Sequence, residues 1–384
     1  MMVQKKQIYM DYAASAPLAE GVVEAMARVS DGNASSVHRV GEKAREALDE
    51  ARGELAGEIG AKAGEVVFTS GATESNNLAL RGVMSGLRPE LTQKNDQVRV
   101  TGSHEDRGDS EDGASGEGAK GKIIVSAVEH ASVWEVAQEL KRDGVEVGVV
   151  GVVGVVGVVG VDAEGRVDVD ALRELVDEET LLVSVQHANN EFGTVQPIAE
   201  IGRICKSKGV LFHVDAAQTF GKLDIDVRKM RIDLLSASAH KIGGPKGVGL
   251  LYVREGVSLG PVLVGGGQER GLRSGTENVA GAIGFAAALK ETKIINVERV
   301  QLLRDKLLDG LESLGGRLVG SRDERLWNIA TVVFADRDGE DVVMRLSEKG
   351  VMCGTGSACS SRKEDDRVLG ALGLFIVCSS VRGG

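Results

Sequence analysis

Residues 234–249 read LLSASAHKIGGPKGVG, and this stretch decides the fold. Leu234 and Leu235 open a β-prone run, Ser236 and Ser238 supply small hydroxyls, and His240 and Lys241 precede a glycine-rich turn. A lysine just past a strand end, among small donors and glycines, suits an enzyme that holds an aldehyde cofactor covalently. The amine there must be able to lose its proton, and glycine lets backbone approach a bulky ligand. By itself Lys241 also fits a solvated turn lysine, one of 46 Lys and Arg in the chain.

The flanking sequence repeats the same motif of an apolar run ending in a polar tip. Upstream lie EVVFTSGATESNNLAL (Glu65–Leu80), KIIVSAVEHASV ending its strand at Glu129 and His130, LLVSVQHANNEFGTVQP (Leu181–Pro197) and VLFHVDAAQTFGK (Val210–Lys222). GLLYVRE follows downstream as a further strand. Helical spacing is expected at 18–30, 42–59, 74–80, 134–142, 172–176 and 198–208, with 31–41 a polar loop between the first two. Alternation of strand and helix predicts an α/β chain built on a predominantly parallel, doubly wound sheet. In such a sheet the tips Thr73, His130, Asn190, Asp215 with Gln218, and His240 with Lys241 collect on one edge. Read singly, the Thr69–Thr73 turn fits a phosphate site or an ordinary capped helix, and His130 also fits a hydrogen-bonded structural histidine.

A chain of 384 residues points to two domains. Its net charge of −11 argues against nucleic acid as the main partner. The four cysteines (205, 353, 359 and 378) form no C-x-x-C pair, which argues against a disulfide framework or a structural zinc and for a reducing compartment. With no signal-like leader and no run apolar enough to span a bilayer, a cytoplasmic protein without membrane partner is expected. Two segments break the rhythm: a charged, glycine-rich insertion at 90–121, and a GVV triplet array at 147–161 that reads as a lengthened strand. GGGQERGLRSGTENVAG (265–281) is glycine-rich and basic, a further candidate for phosphate contact. Helices with charged faces are expected over 282–314, and short strands and helices beyond 326. Cys359 sits in a small-residue loop that leaves a thiol exposed, whereas Cys205 and Cys378 read as packing cysteines.

Taken together, IYMDYAASAP, GNASSVHRVG, VVFTSGATESNN, AVEH, HANNEFGTVQ, HVDAAQTFGK, SASAHKIGGPKG, GGGQERGLRSGT and GSACSS resemble, in order, the NifS/IscS-like cysteine desulfurases. These belong to the class V aminotransferase family of pyridoxal-phosphate enzymes of fold type I. The resemblance implies a large cofactor domain over 15–290 on a mainly parallel, seven-stranded type of sheet. It implies a smaller α/β domain from 1–14 and 291–384, shortened at its C-terminus. The insertion and the GVV array are departures from the family pattern.

Residue by residue, the resemblance makes Lys241 the lysine that holds pyridoxal 5'-phosphate and Asp215 the carboxylate facing the pyridine nitrogen. His130 is the histidine stacked on the ring, with Asn190 and Gln218 on its oxygen side. Ala72, Thr73, Ser238 and His240 form the phosphate cradle, and Thr276 reaches that cradle from the second subunit of a homodimer. Cys359 is the nucleophile that takes sulfur from L-cysteine, while Asn190 and Arg382 hold the substrate. The activity implied is conversion of L-cysteine to L-alanine with a persulfide on Cys359, passed to an acceptor protein for iron–sulfur assembly or tRNA thiolation. Rival readings are a selenocysteine lyase, a class V aminotransferase, or a truncated non-catalytic homologue.

Overall fold

Runs of Val, Ile and Leu bounded by glycines and charges form the strands of the central sheet. The computed structural model describes residues 7–29, 32–86, 121–151, 158–355 and 367–372. The insertion at 90–121, apart from Gly121, lies outside the described residues, as do Cys359, Cys378 and Arg382.

The strands, numbered along the chain, are β1 (Ile8–Tyr9), β2 (Val66–Thr69), β3 (Lys122–Ser126), β4 (Glu146–Gly151), β5 (Val158–Gly160), β6 (Thr180–Gln186), β7 (Leu211–Asp215), β8 (Leu234–Ser238), β9 (Gly249–Val253), β10 (Arg317–Leu318), β11 (Val332–Val333) and β12 (Val351–Met352). Eight of them form one sheet in the order β2-β9-β8-β7-β6-β3-β4-β5. β9 runs antiparallel to both of its neighbours, and every other pair in the sheet is parallel. The mainly parallel architecture is as expected, with eight strands where a seven-stranded sheet was implied. The extra edge strand is β5. In the GVV array each glycine is flanked by β-forming valines, and the array yields two parallel strands, Val149 opposite Val158, rather than one long one.

Side chains alternate across this sheet, and the alternation separates two cores. Val66, Phe68, Ile124, Leu235, Ala237, Leu250 and Tyr252 point to one face, where they pack with α2 (Arg39–Glu58) and α7 (Val279–Thr292). Val67, Ile123, Val125, Leu234 and Leu251 point to the other, under α3 (Ala72–Gly86) and α4 (Ala131–Arg142). The remaining helices are α1 (Glu20–Ala27), α5 (Val169–Leu175), α6 (Ile198–Lys208), α8 (Val297–Ser313), α9 (Gly339–Glu348) and α10 (Arg367–Ala371). Helix α6 has the bounds expected from sequence. By contrast, α2 begins three residues before its expected start, inside the supposed 31–41 loop, because the His38 ring caps it by accepting from Gly41 N at 3.2 Å. Cys205 is buried on α6, and burial pushes its thiol up to about 12, as befits a packing cysteine.

Two small pairings involve the C-terminal part of the chain. β1 pairs in parallel with β12, Tyr9 opposite Met352. β10 pairs antiparallel with β11. No helix among the described residues is long and apolar enough to cross a membrane.

Candidate active site

Parallel strands present their C-terminal ends on one sheet edge, so the turns after β2, β3, β6, β7 and β8 converge. They enclose a cleft of about 540 Å³, within the range of small-molecule sites. Nine of the residues singled out from sequence line it together: Ala72, Thr73, His130, Asn190, Asp215, Gln218, Ser238, His240 and Lys241. Thr276 does not; it is exposed on the loop between β9 and α7.

The β2–α3 turn makes one wall. The N–H groups of Ala72 and Thr73, in the first turn of α3, precede any intrahelical acceptor, so they face the cleft end with the positive pole of the helix. Glu74 in that turn accepts from Ser70 N at 2.7 Å and from Arg273 Nε at 2.9 Å, which ties α3 to the 265–276 loop. Backbones crowd here. A Cβ on Gly249 would lie 2.6 Å from both the Ala237 oxygen and the Gly71 Cα, so only glycine fits.

Asp215 ends β7 and is 6% exposed. Ala217 N donates to its Oδ1 at 2.9 Å and Asn76 Nδ2 to its Oδ2 at 2.8 Å. These bonds fix the plane of the carboxylate while leaving it on the cleft wall. Asn76 also donates to Ser132 Oγ at 2.8 Å, and Ser132 Oγ sits 2.8 Å from His130 Nδ1. His130 caps α4, its Nδ1 accepting from Ser132 N at 3.1 Å. Burial pushes the His130 imidazole below its ordinary pKa; Asp215 opposes this, and Lys241 and Arg367 add to it. His240 is driven down to about 4, by burial first and then by the charges of Lys241, Lys246 and Lys222. Both rings are therefore neutral near pH 7.

Lys241 leaves the turn after β8 and points its amine at the N-terminal segment. Its Nζ donates to the Ala13 oxygen at 2.5 Å and the Ala14 oxygen at 3.1 Å. Gln218 Nε2 donates to the same Ala13 oxygen at 2.9 Å, which leaves the buried Gln218 Oε1 without a partner. Behind the cleft, the Lys222 amine is buried and unpaired, and burial together with the Lys241 charge brings it down to about 7.

Sequence reading missed several residues that build this site. Asn76 and Ser132 orient Asp215 and His130, and the only trace of Asn76 in sequence is a polar residue on the apolar face of α3. Glu129 is fully buried beside Asp215, accepting from Ser126 Oγ at 2.5 Å and Gln186 N at 2.8 Å, and burial raises it to about 8. Arg367 contacts the turn before His130, and nothing in its charged surroundings signals that role.

Known proteins resemble this chain in sequence and in fold. The family model for "Aminotransferase class-V" matches residues 8–102 and 113–371. A cysteine desulfurase IscS of Dictyoglomus turgidum is 40% identical over 382 residues, covering 97% of this chain and 87% of its own. Cysteine desulfurase IscS 1 of Archaeoglobus fulgidus is 42% identical over 375 residues, covering 95% of this chain and 88% of its own. Among solved structures, a NifS-like protein superposes with a TM-score of 0.78 at 34% identity, over 96% of this chain and 90% of its own. A structure described as SspA in complex with cysteine gives 0.76 at 34% identity, over 96% and 94%.

Proposed function

The chain belongs to the class V aminotransferase family, and from that premise we propose that it is a pyridoxal-phosphate-dependent cysteine desulfurase. It converts L-cysteine to L-alanine and keeps the sulfur as a persulfide on Cys359 for transfer to an acceptor protein. The donor set of the cleft fits the cofactor. The α3 N-terminus with Ala72, Thr73, Ser238 and His240 suits a phosphate, and Asp215 suits a protonated pyridine nitrogen. The unsatisfied Gln218 Oε1 and Asn190 suit the ring's oxygen side, and Lys241 suits the covalent tether. When bound, pyridoxal phosphate supplies an electron sink for bond breaking next to the substrate's amino carbon.

The residues of the chain supply the rest. His130, held neutral by burial, offers an apolar ring face to the cofactor plane. Lys241 Nζ, on the cleft wall, would serve as the base that moves protons along the substrate. Net, one thiol of the enzyme takes the substrate sulfur: L-cysteine and the Cys359 thiol become L-alanine and the Cys359 persulfide. Arg382 is assigned to the substrate carboxylate by its sequence position alone. The division into a unit of 15–290 and a unit of 1–14 with 291–384 belongs to the same reading and is supported by the β1–β12 pairing.

The observation that supports the sulfur chemistry is the placement of the described residues on either side of Cys359. On one side, Met352 O accepts from Met10 N at 2.7 Å, and Cys353 lies in the field of Asp11, a cleft residue. On the other side, Arg367 donates to the Ala127 and Glu129 oxygens, immediately before His130. Cys359 lies six residues after Cys353 and eight before Arg367, tethers of at most about 20 Å and about 28 Å. Flanks anchored at both sides of the cleft support Cys359 as the thiol that works there. Incubating the cofactor-loaded protein with L-cysteine should release L-alanine and, with a reductant, sulfide. Cys359→Ala should stop both, Cys353→Ser should not, and Lys241→Ala should also lose the visible absorbance of the lysine-bound cofactor. Alanine and sulfide release undiminished in Cys359→Ala would refute the assignment.

A further inference from the structure

The turn that presents His130 is gripped from outside the sheet. The Ala127 and Glu129 oxygens both accept from the Arg367 guanidinium, through different nitrogens, while the Val128 oxygen between them accepts from Gln186 Nε2 and, at 3.1 Å, from Asn189 Nδ2. The guanidinium lies over the Trp134 ring of α4, with its carbon 4.3 Å from the ring centroid. Val368 and Leu369, the next two residues, are buried with Val128, Phe192 and Val319. Thus Arg367, Val368 and Leu369 all pack at the sheet edge around that turn. Two of the three carbonyls of that turn are satisfied by a residue that enters only a few positions after Cys359 in the chain.

We infer that Arg367, stacked on Trp134, is a positioning residue that ties the far end of the Cys359-bearing segment to the turn carrying His130. It thereby fixes where the chain leaves that segment. The inference rests on the desulfurase reading above. Arg suits the task and Lys does not, because two carbonyls and an aromatic face are engaged at once by a planar fork. Losing the guanidinium frees the end of the segment, while Gln186 and Asn189 still hold the turn through the Val128 oxygen, so that His130 keeps its place at the cofactor.

The experiment compares the native holoenzyme with Arg367→Ala, Arg367→Lys and Trp134→Leu. Single-turnover persulfide formation on Cys359, followed by mass spectrometry, should fall about tenfold in Arg367→Ala, with Arg367→Lys recovering only part of it. The visible spectrum, and its change on adding L-alanine, a ligand with no sulfur to give, should stay as in the native protein. In a Trp327→Phe background, where Trp134 is the one tryptophan left, Arg367→Ala should raise acrylamide quenching of its fluorescence, with or without cofactor. Native-rate persulfide formation in Arg367→Ala, or an equal loss of the L-alanine response, overturns the positioning role. Unchanged quenching overturns the stacking itself, whatever the activity. If the native holoenzyme forms no persulfide at all, the desulfurase reading is what fails. Should Arg367→Ala not fold, Trp134→Leu carries the same kinetic comparison.

Discussion

A buried carboxyl next to the site gives the sharpest residue-scale test. Glu129 is held near pKa 8 by burial, with the Asp215 charge pushing the same way, and is pulled down by the Ser126 and Gln186 hydrogen bonds and by Arg367. In the unfolded chain the same group titrates near 4.5. Between these values the folded protein keeps a proton that the unfolded chain releases, so this group erodes stability as pH rises, by up to roughly 1.4 kcal/mol per pH unit. Glu129→Gln can still accept from Ser126 and Gln186 but has no proton to lose. Its melting temperature relative to the native protein should therefore climb steadily from pH 5 to pH 8. A constant difference across that range would mean that Glu129 is already ionised in the fold. His240, near 4, is no switch in this window and stays neutral throughout it.

At the scale of elements, the phosphate end of the cleft depends on how closely β9 approaches the β2–α3 turn. Gly249→Ala places a methyl against two backbones, Ala237 and Gly71, neither of which can rotate away. We expect a loss of about 2 kcal/mol or more in stability and roughly tenfold weaker pyridoxal-phosphate binding, read by thermal melting and cofactor titration. Binding as tight as native would show that the cradle does not depend on this contact. The strands and their polar tips were legible because each apolar run is short and ends in a turn residue, so chemistry at positions 73, 130, 190, 215 and 241 falls on one edge by topology alone. What sequence could not supply was contact between distant elements. Asn76 bracing Asp215 and Arg367 reaching back to Ala127 depend on three-dimensional placement, with no periodicity to mark them. The GVV array misled for another reason: valine and glycine specify extended chain without specifying how many strands it makes.

At the scale of the whole molecule, Thr276 sits exposed and apart from the cleft of its own chain, as it must if it serves a neighbour's phosphate cradle in a homodimer. Thr276→Ala alone should weaken cofactor binding by about tenfold, the size expected for losing one hydrogen bond to a charged group. Dimers mixed from Thr276→Ala and Lys241→Ala subunits should regain one site of native affinity, because the first then receives an intact threonine from the second. Failure of mixing to restore it would place Thr276 outside the site. The β1–β12 pairing has a further consequence for how such a protein is made. The strand leading to Ala13 and Ala14, whose oxygens seat the Lys241 amine, finds its partner at Val351–Met352. On the ribosome, then, this strand waits for a partner that is made much later in the chain, and the pocket cannot close around its cofactor until that partner has emerged.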